Sequence, residues 1–178
     1  MRRLRPRHPD RPPARASVRH PLRRLRREGR CLMSFGVAAS RTPRDGFARP
    51  AAGDPCPCGS GERFEGCCRP ALHGTPAPTA ERLMRSRYTA FVVGDAPYLS
   101  GTWHPGTRPE ELTLDPAQKW TGLEIIDAEG GGESDTRGVV EFRAAWRCGA
   151  DRGVLHERSR FVRQAERWWY LDGRIDPD

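Results

Sequence analysis

The sequence predicts an α+β fold in which a small cysteine knuckle precedes helices packed on one face of an antiparallel sheet. Three observations carry this reading. Four of the six cysteines fall within "DPCPCGSGERFEGCCRP", residues 54–70. Met84, Tyr88, Phe91 and Val92 then recur at helical spacing, and from Lys119 onward the apolar period changes to two. Helices followed by a run of strands is the order of an α+β domain, not of alternating βαβ units.

Residues 1–50 read as a basic tail. They hold fifteen arginines against Asp10, Glu28 and Asp45, whereas the rest of the chain carries 16 basic and 20 acidic side chains. The net charge of +8 is therefore a property of the tail. Rich in Arg and Pro and poor in large apolar residues, "MRRLRPRHPDRPPARASVRHPLRRLRREGR" cannot bury enough surface to offset its ordering entropy, and disorder is expected. Two roles fit it: an arm gripping nucleic acid, the ribosome or anionic lipid through salt-dependent phosphate contacts, or sequence upstream of a true start at Met33. "CLMSFGVAA" (31–39) has the outline of an export signal, but Ser34 and Gly36 interrupt a run that is already short. An exported thiolate site would also face oxidation. No segment approaches the roughly 20 apolar residues needed to span a bilayer, and the expected location is cytoplasmic.

In the knuckle, Cys56 and Cys58 are separated by one residue, and Cys67 and Cys68 are adjacent. Such pairs are badly placed for relaxed disulfides, whose Cα atoms stand well apart. As metal ligands they are well placed, because two close pairs of thiolates can converge tetrahedrally on one ion. Pro57 stiffens the first pair, and Gly59 and Gly61 permit a tight turn that aims amide N–H groups at sulfur. Phe64 is expected to cover one side, with Arg63 and Arg69 offsetting the thiolate charge. Four protein ligands make a closed structural site, for zinc first, with iron open to the same sulfurs.

After the Pro-rich connector "ALHGTPAPT", Thr79 is the expected cap of a first helix with Glu81 in its first turn and Gly94 as its stop. Asp95 is the expected cap of a short second helix that tolerates Pro97 and ends by Pro105. Val140, Phe142, Ala144, Trp146 and Cys148 alternate with a mostly charged set, as in a half-buried strand, and Cys148 reads as a buried hydrophobe. "GVLHERSRFVRQ" and "RWWYLD" are the next two strands of a hairpin, and "AEGGGESDTRG" (128–138) is the turn before the strand containing Val140. The five tryptophans read as core or rim. No phosphate loop or nucleophile elbow is present.

"CPCGSGERFEGCC" resembles the SEC-C motif, a small zinc module at the C-terminus of SecA-type translocation ATPases and in many bacterial proteins. "LMRSRYTAFVVGDAPYLSGTWHP" (83–105), "ERSRF" (157–161) and "WYLDG" (169–173) resemble the YchJ family. The resemblance implies a zinc knuckle at 54–70 and, over 77–175, a nuclear-transport-factor-like cone of helices on a curved sheet. Several family members carry a second SEC-C motif, which this chain, ending "RIDPD", does not show.

Leu155, Glu157, Ser159 and Phe161 share one strand face, so a carboxylate and a hydroxyl lie among inward-looking residues. If the cone closes as in relatives, Arg85, Arg87, Tyr88, His104, Glu157, Ser159 and Asp172 surround one pocket. There Glu157 could act as a base or ligand acceptor; the structural alternative, which the residue types favour, pairs it with an arginine of the first helix. His104 is expected as a packing group, and no residue is singled out as catalytic. The leading expectation is a zinc-binding adaptor whose partners, by analogy, are chaperones, translocation factors or ribosome-associated proteins. Its rivals are a small-molecule binder or enzyme using the cone interior, and a nucleic-acid-binding role confined to the Arg-rich tail.

Overall fold

The computed structural model describes residues 46–176, so the expectations for the tail and for Met33 lie outside the described residues. A 3-10 turn at Phe64–Gly66 leads into three helices, α1 (Cys68–Leu72), α2 (Ala80–Val93) and α3 (Ala96–Gly101). Four strands follow: β1 (Gln118–Gly130), β2 (Arg137–Cys148), β3 (Asp151–Gln164) and β4 (Arg167–Ile175). They form one antiparallel sheet in the order β1-β2-β3-β4. Register shifts at Trp120/Gly122, Ile125/Asp127 and Arg160/Phe161 bend the strands, because each extra residue locally increases twist. The sheet curves around α2, which packs on β1, β2 and β4.

Local signals placed the helices. Thr79 Oγ1 accepts from Arg82 N at 3.1 Å, and Gly94 closes α2 in the left-handed region at φ +70°. Asp95 Oδ1 accepts from Tyr98 N at 3.1 Å to start α3. Thr79→Ala is expected to lower stability by about 1 kcal/mol, read as a fall of a few degrees in the thermal midpoint.

Two strand expectations need correction. Ala128, Glu129 and Gly130 belong to β1, where they pair with Val140, Val139 and Gly138, so the turn is shorter than "AEGGGESDTRG" suggests. Its Gly131 carbonyl accepts from Ala80 N at 2.9 Å, pinning the start of α2 to the sheet end. Cys148 is half-buried, as is Trp146, whereas Val140, Phe142 and Ala144 are buried.

The core runs from the knuckle through α2 to the sheet without a break. Cys56, Cys58, Cys67 and Cys68 share one buried cluster with Leu83, Met84, Tyr88, Trp103, Phe161 and Trp168. The segment after α3 is stitched to β4 by Tyr170 N to Thr102 O at 3.0 Å and His104 N to Tyr170 O at 2.8 Å. Trp103 thereby stands edge-on to Tyr170, ring centres 4.9 Å apart. No described helix is long and apolar enough to cross a membrane.

Candidate metal centre and the adjoining cavity

The knuckle is a miniature hairpin. Phe64 N donates to Asp54 O and Cys56 N to Glu62 O, each at 2.8 Å, bringing the strand-like ends 54–56 and 62–64 together. Gly59 turns the tip at φ +71° and comes so near β1 that a Cβ there would stand 3.3 Å from Leu123 O. The 3-10 turn then delivers Cys67, and Cys68 opens α1.

These elements bring four buried sulfurs within 4.8 Å of one another. Cys58 Sγ lies 3.6 Å from Cys67 Sγ, and Cys67 Sγ lies 3.9 Å from Cys68 Sγ. A tetrahedral ion with metal–sulfur bonds of about 2.3 Å requires sulfur–sulfur edges of about 3.8 Å. The arrangement thus fits a four-thiolate metal ion, and these edges are too long for S–S bonds.

The surroundings are built for thiolates. Ser60 offers its hydroxyl to Cys67 Sγ at 3.2 Å and its backbone N–H to Cys58. Hydrogen bonds from Cys56 foremost, then Cys68 and Ser60, hold the Cys58 thiol far below its ordinary value. Cys68 is pushed far up, first by its hydrogen bonds to Cys56 and Cys58, and burial raises Cys67 to about 11. Four sulfurs this close repel one another as thiolates, so full ionisation of the set calls for a cation.

The balancing arginine is not one of those expected. Arg63 Nη1 donates to Gly53 O at 3.1 Å, and Arg69 is exposed. Instead Arg82, from α2, sends Nη1 to Cys67 Sγ at 3.6 Å and to Glu62 Oε1 at 3.1 Å. Arg85 Nη1 donates to Cys58 O at 3.1 Å. The fully buried Thr89 hydroxyl interacts with Cys68 yet has no conventional hydrogen-bond partner; a Cys68 thiolate would supply the acceptor. Nothing near the cysteines in sequence marks these groups. Their only signal is the spacing of 82, 85 and 89, one helical stripe. Thr89→Val or Arg82→Ala should weaken metal affinity about tenfold, the scale of lost second-shell contacts, checked by competition with a chromophoric chelator.

Beneath the opposite side of α2 lies a cavity of about 50 Å³. Of the seven expected pocket residues, Arg87, Tyr88 and Glu157 line it. Ser159 stands behind Glu157 and donates Oγ to Oε1 at 2.6 Å. The other three point elsewhere. Arg85 pairs with Glu81 at 2.7 Å and reaches the knuckle, His104 Nδ1 accepts from Gly106 N at 3.1 Å, and Asp172 is bound by Arg160. Met84, Trp103 and Tyr170 were not anticipated as lining, since only the folded sheet carries β4 beneath α2.

Glu157 does not ion-pair with the helix. Arg87 Nη1 is committed to Leu99 O at 2.9 Å and Thr102 Oγ1 at 2.8 Å, anchoring α3. Tyr170 stands between the two charges, its ring 4.4 Å below the Arg87 guanidinium and its hydroxyl donating to Glu157 Oε1 at 3.1 Å. Glu157 therefore ties β3 to β4. Gly173 makes room for it: a Cβ there would meet Glu157 Oε1 at 2.0 Å. Burial pushes the Glu157 carboxyl above its ordinary value and Tyr88 up to about 12, and lowers Arg87 to about 10, still a cation at neutral pH.

A raised folded-state value means that the folded chain holds the Glu157 proton more tightly than the unfolded chain. This contribution to stability is complete at low pH and is lost as pH rises through the folded value. Glu157→Gln, which keeps the acceptor and removes the charge, should gain stability over wild type as pH rises. The gain at pH 8, on the order of 1 kcal/mol, should vanish near pH 4 when urea midpoints are compared.

Residues 79–173 match the family described as the YchJ middle NTF2-like domain. A UPF0225 protein of Streptomyces coelicolor is 58% identical over 122 residues, spanning 68% of this chain and 95% of the relative. One from Chromobacterium violaceum is 49% identical over 125 residues, with 67% and 92% covered. The solution structure of a SEC-C motif containing protein from Rhodopseudomonas palustris is similar at TM-score 0.60 and 31% identity, over 70% of this chain and all of that one. A crystal structure of a SEC-C motif containing protein from Psychrobacter arcticus follows at TM-score 0.56 and 27% identity, over 71% and 85%. With this helix-on-curved-sheet domain behind a four-cysteine knuckle, the chain belongs to the YchJ family, among the UPF0225 proteins.

Proposed function

We propose that Cys56, Cys58, Cys67 and Cys68 hold one zinc ion and that the knuckle so formed is the docking module of a cytoplasmic accessory protein. The observation that carries this is the sulfur geometry, with edges of 3.6 and 3.9 Å in a buried set of four. All four positions come from protein, so the ion would stabilise structure and shape a surface, without an open place for a reacting water. Iron fits the same sulfurs, and metal analysis separates the two.

The reading as a docking module rests on likeness to SEC-C motif containing proteins and on what the knuckle exposes. Gly61, Glu62, Arg63, Glu65, Gly66 and Arg69 face solvent around a rigid sulfur core. A protein partner of the chaperone, translocation or ribosome-associated kind is the proposed target. Metal analysis of the purified chain, joined to affinity capture with wild type and Arg63→Glu/Arg69→Glu, tests both halves. One zinc per chain and a partner lost only with the reversed charges are expected. A chain free of metal under reducing conditions, or an unchanged partner set, would overturn the corresponding half.

A further inference from the structure

The cavity under α2 contains two buried charges that the protein leaves half used. Arg87 and Glu157 are 3% and 6% exposed, and both line the cavity. Arg87 spends only Nη1 on the protein; among the described residues, its Nε and Nη2 donate to nothing. Glu157 receives both of its hydrogen bonds on Oε1, and Oε2 receives none. None of these three atoms is sealed off, so the Arg87 edge and Glu157 Oε2 stay open to whatever enters the cavity. Such groups persist where something enters to meet them, either water or a ligand.

The chemistry around them selects the ligand. The Nε–Nη2 edge of a guanidinium is a planar fork whose two N–H bonds match the two oxygens of a carboxylate. Nη1, tied to α3, leaves that edge as the available one. The remaining lining is apolar or aromatic: Met84, Phe91, Trp120, Phe142, Ala144 and Leu155. The polar and charged groups around Glu157 are Ser159 on its own strand, Tyr170 and Asp172 on β4, and Arg87 on α2. An ammonium ligand could not use the Arg87 edge, which only donates, and would lie beside the Arg87 cation.

We propose that this cavity is a binding site for a small monocarboxylate with an apolar body, its carboxylate on the Nε–Nη2 edge of Arg87 and its body against the aromatic lining. A water takes about 10–15 Å³ by the measure that gives this cavity 50 Å³. The enclosed space therefore holds about three to five water-sized groups, enough for the carboxylate and one or two carbons, and any longer body extends outward through the mouth of the cavity. Half-buried Phe91, Trp120 and Leu155 mark the way in from the surface. The site is separate from the sulfur cluster and does not depend on the docking role of the knuckle.

The test uses the full, metal-loaded chain in carboxylate-free buffer, titrated with butyrate and benzoate and, as controls, with benzamide and benzylamine. Saturable upward shifts of the thermal midpoint and a change in tryptophan emission, from Trp103 and Trp120 in the lining, are expected with a carboxylate and not with the controls. Arg87→Met should weaken binding at least about tenfold, the worth of a charge-assisted bidentate contact. Ala144→Leu, which fills the cavity and leaves Arg87 in place, should abolish binding while the protein stays folded, and so covers the case in which Arg87→Met does not fold. Silence toward both acids, an equal response to the amide or amine, or undiminished binding by Ala144→Leu would overturn the proposal.

Discussion

Serine in place of Cys58 is expected to release the metal and destabilise the whole described domain, well beyond the knuckle. The four sulfurs lie in one continuous core with Leu83, Met84, Tyr88 and Trp103, and α2 reaches them through Arg82, Arg85 and Thr89. Metal binding energy in such a site is folding energy. Its loss should cost on the order of 3–5 kcal/mol, the range reserved for lost metals and buried networks. Metal content should fall to near zero, and the thermal midpoint should drop by more than about 10 °C. Chelator at mildly acidic pH should reproduce the drop in wild type, since protonation competes with the ion for the thiolates. A metal-free serine variant that melts like wild type would show that the knuckle and the helix–sheet domain are energetically independent.

Arg87→Ala is expected to destabilise nearly as much, for a different reason. One guanidinium nitrogen holds Leu99 O and Thr102 Oγ1, and the plane lies over Tyr170 at 4.4 Å and Trp103 at 5.2 Å. Alanine strips a charged donor from buried acceptors, enlarges the cavity and leaves Glu157 without its nearest counter-charge. The sum is about 3–5 kcal/mol. Lysine should not rescue it, because a single ammonium cannot stack as a plane between two rings while bonding α3. Urea unfolding read by far-UV circular dichroism measures the shift in midpoint. A change below about 1 kcal/mol would mean that α3 is held mainly by Leu99 packing.

The two effects meet on one helix. α2 turns Arg82, Arg85 and Thr89 toward the sulfurs, while Met84, Arg87, Tyr88 and Phe91 line the cavity. Burial of Tyr88 raises its hydroxyl, and the Cys58 charge adds to the same shift. Substitutions on either face therefore act on a shared wall, and double variants across it should depart from additivity.

Much of this was written in short-range chemistry. All four cysteines fall between residues 56 and 68, so their convergence needed only a hairpin and one helical turn. The caps at Thr79, Gly94 and Asp95, and the inward face carrying Glu157 and Ser159, follow from propensities and a period of two, which act within a few residues. Packing alone selected the partners of those residues. The arginine meeting the sulfurs is Arg82 instead of Arg63 or Arg69. Glu157 bonds Tyr170, not an α2 arginine, and His104 and Asp172 stay out of the cavity. A repeat along the chain specifies which way a side chain faces, but contact between distant segments depends on the bend of the sheet and the seating of the helix upon it. Both arise from the sum of many weak contacts, which no local stretch encodes.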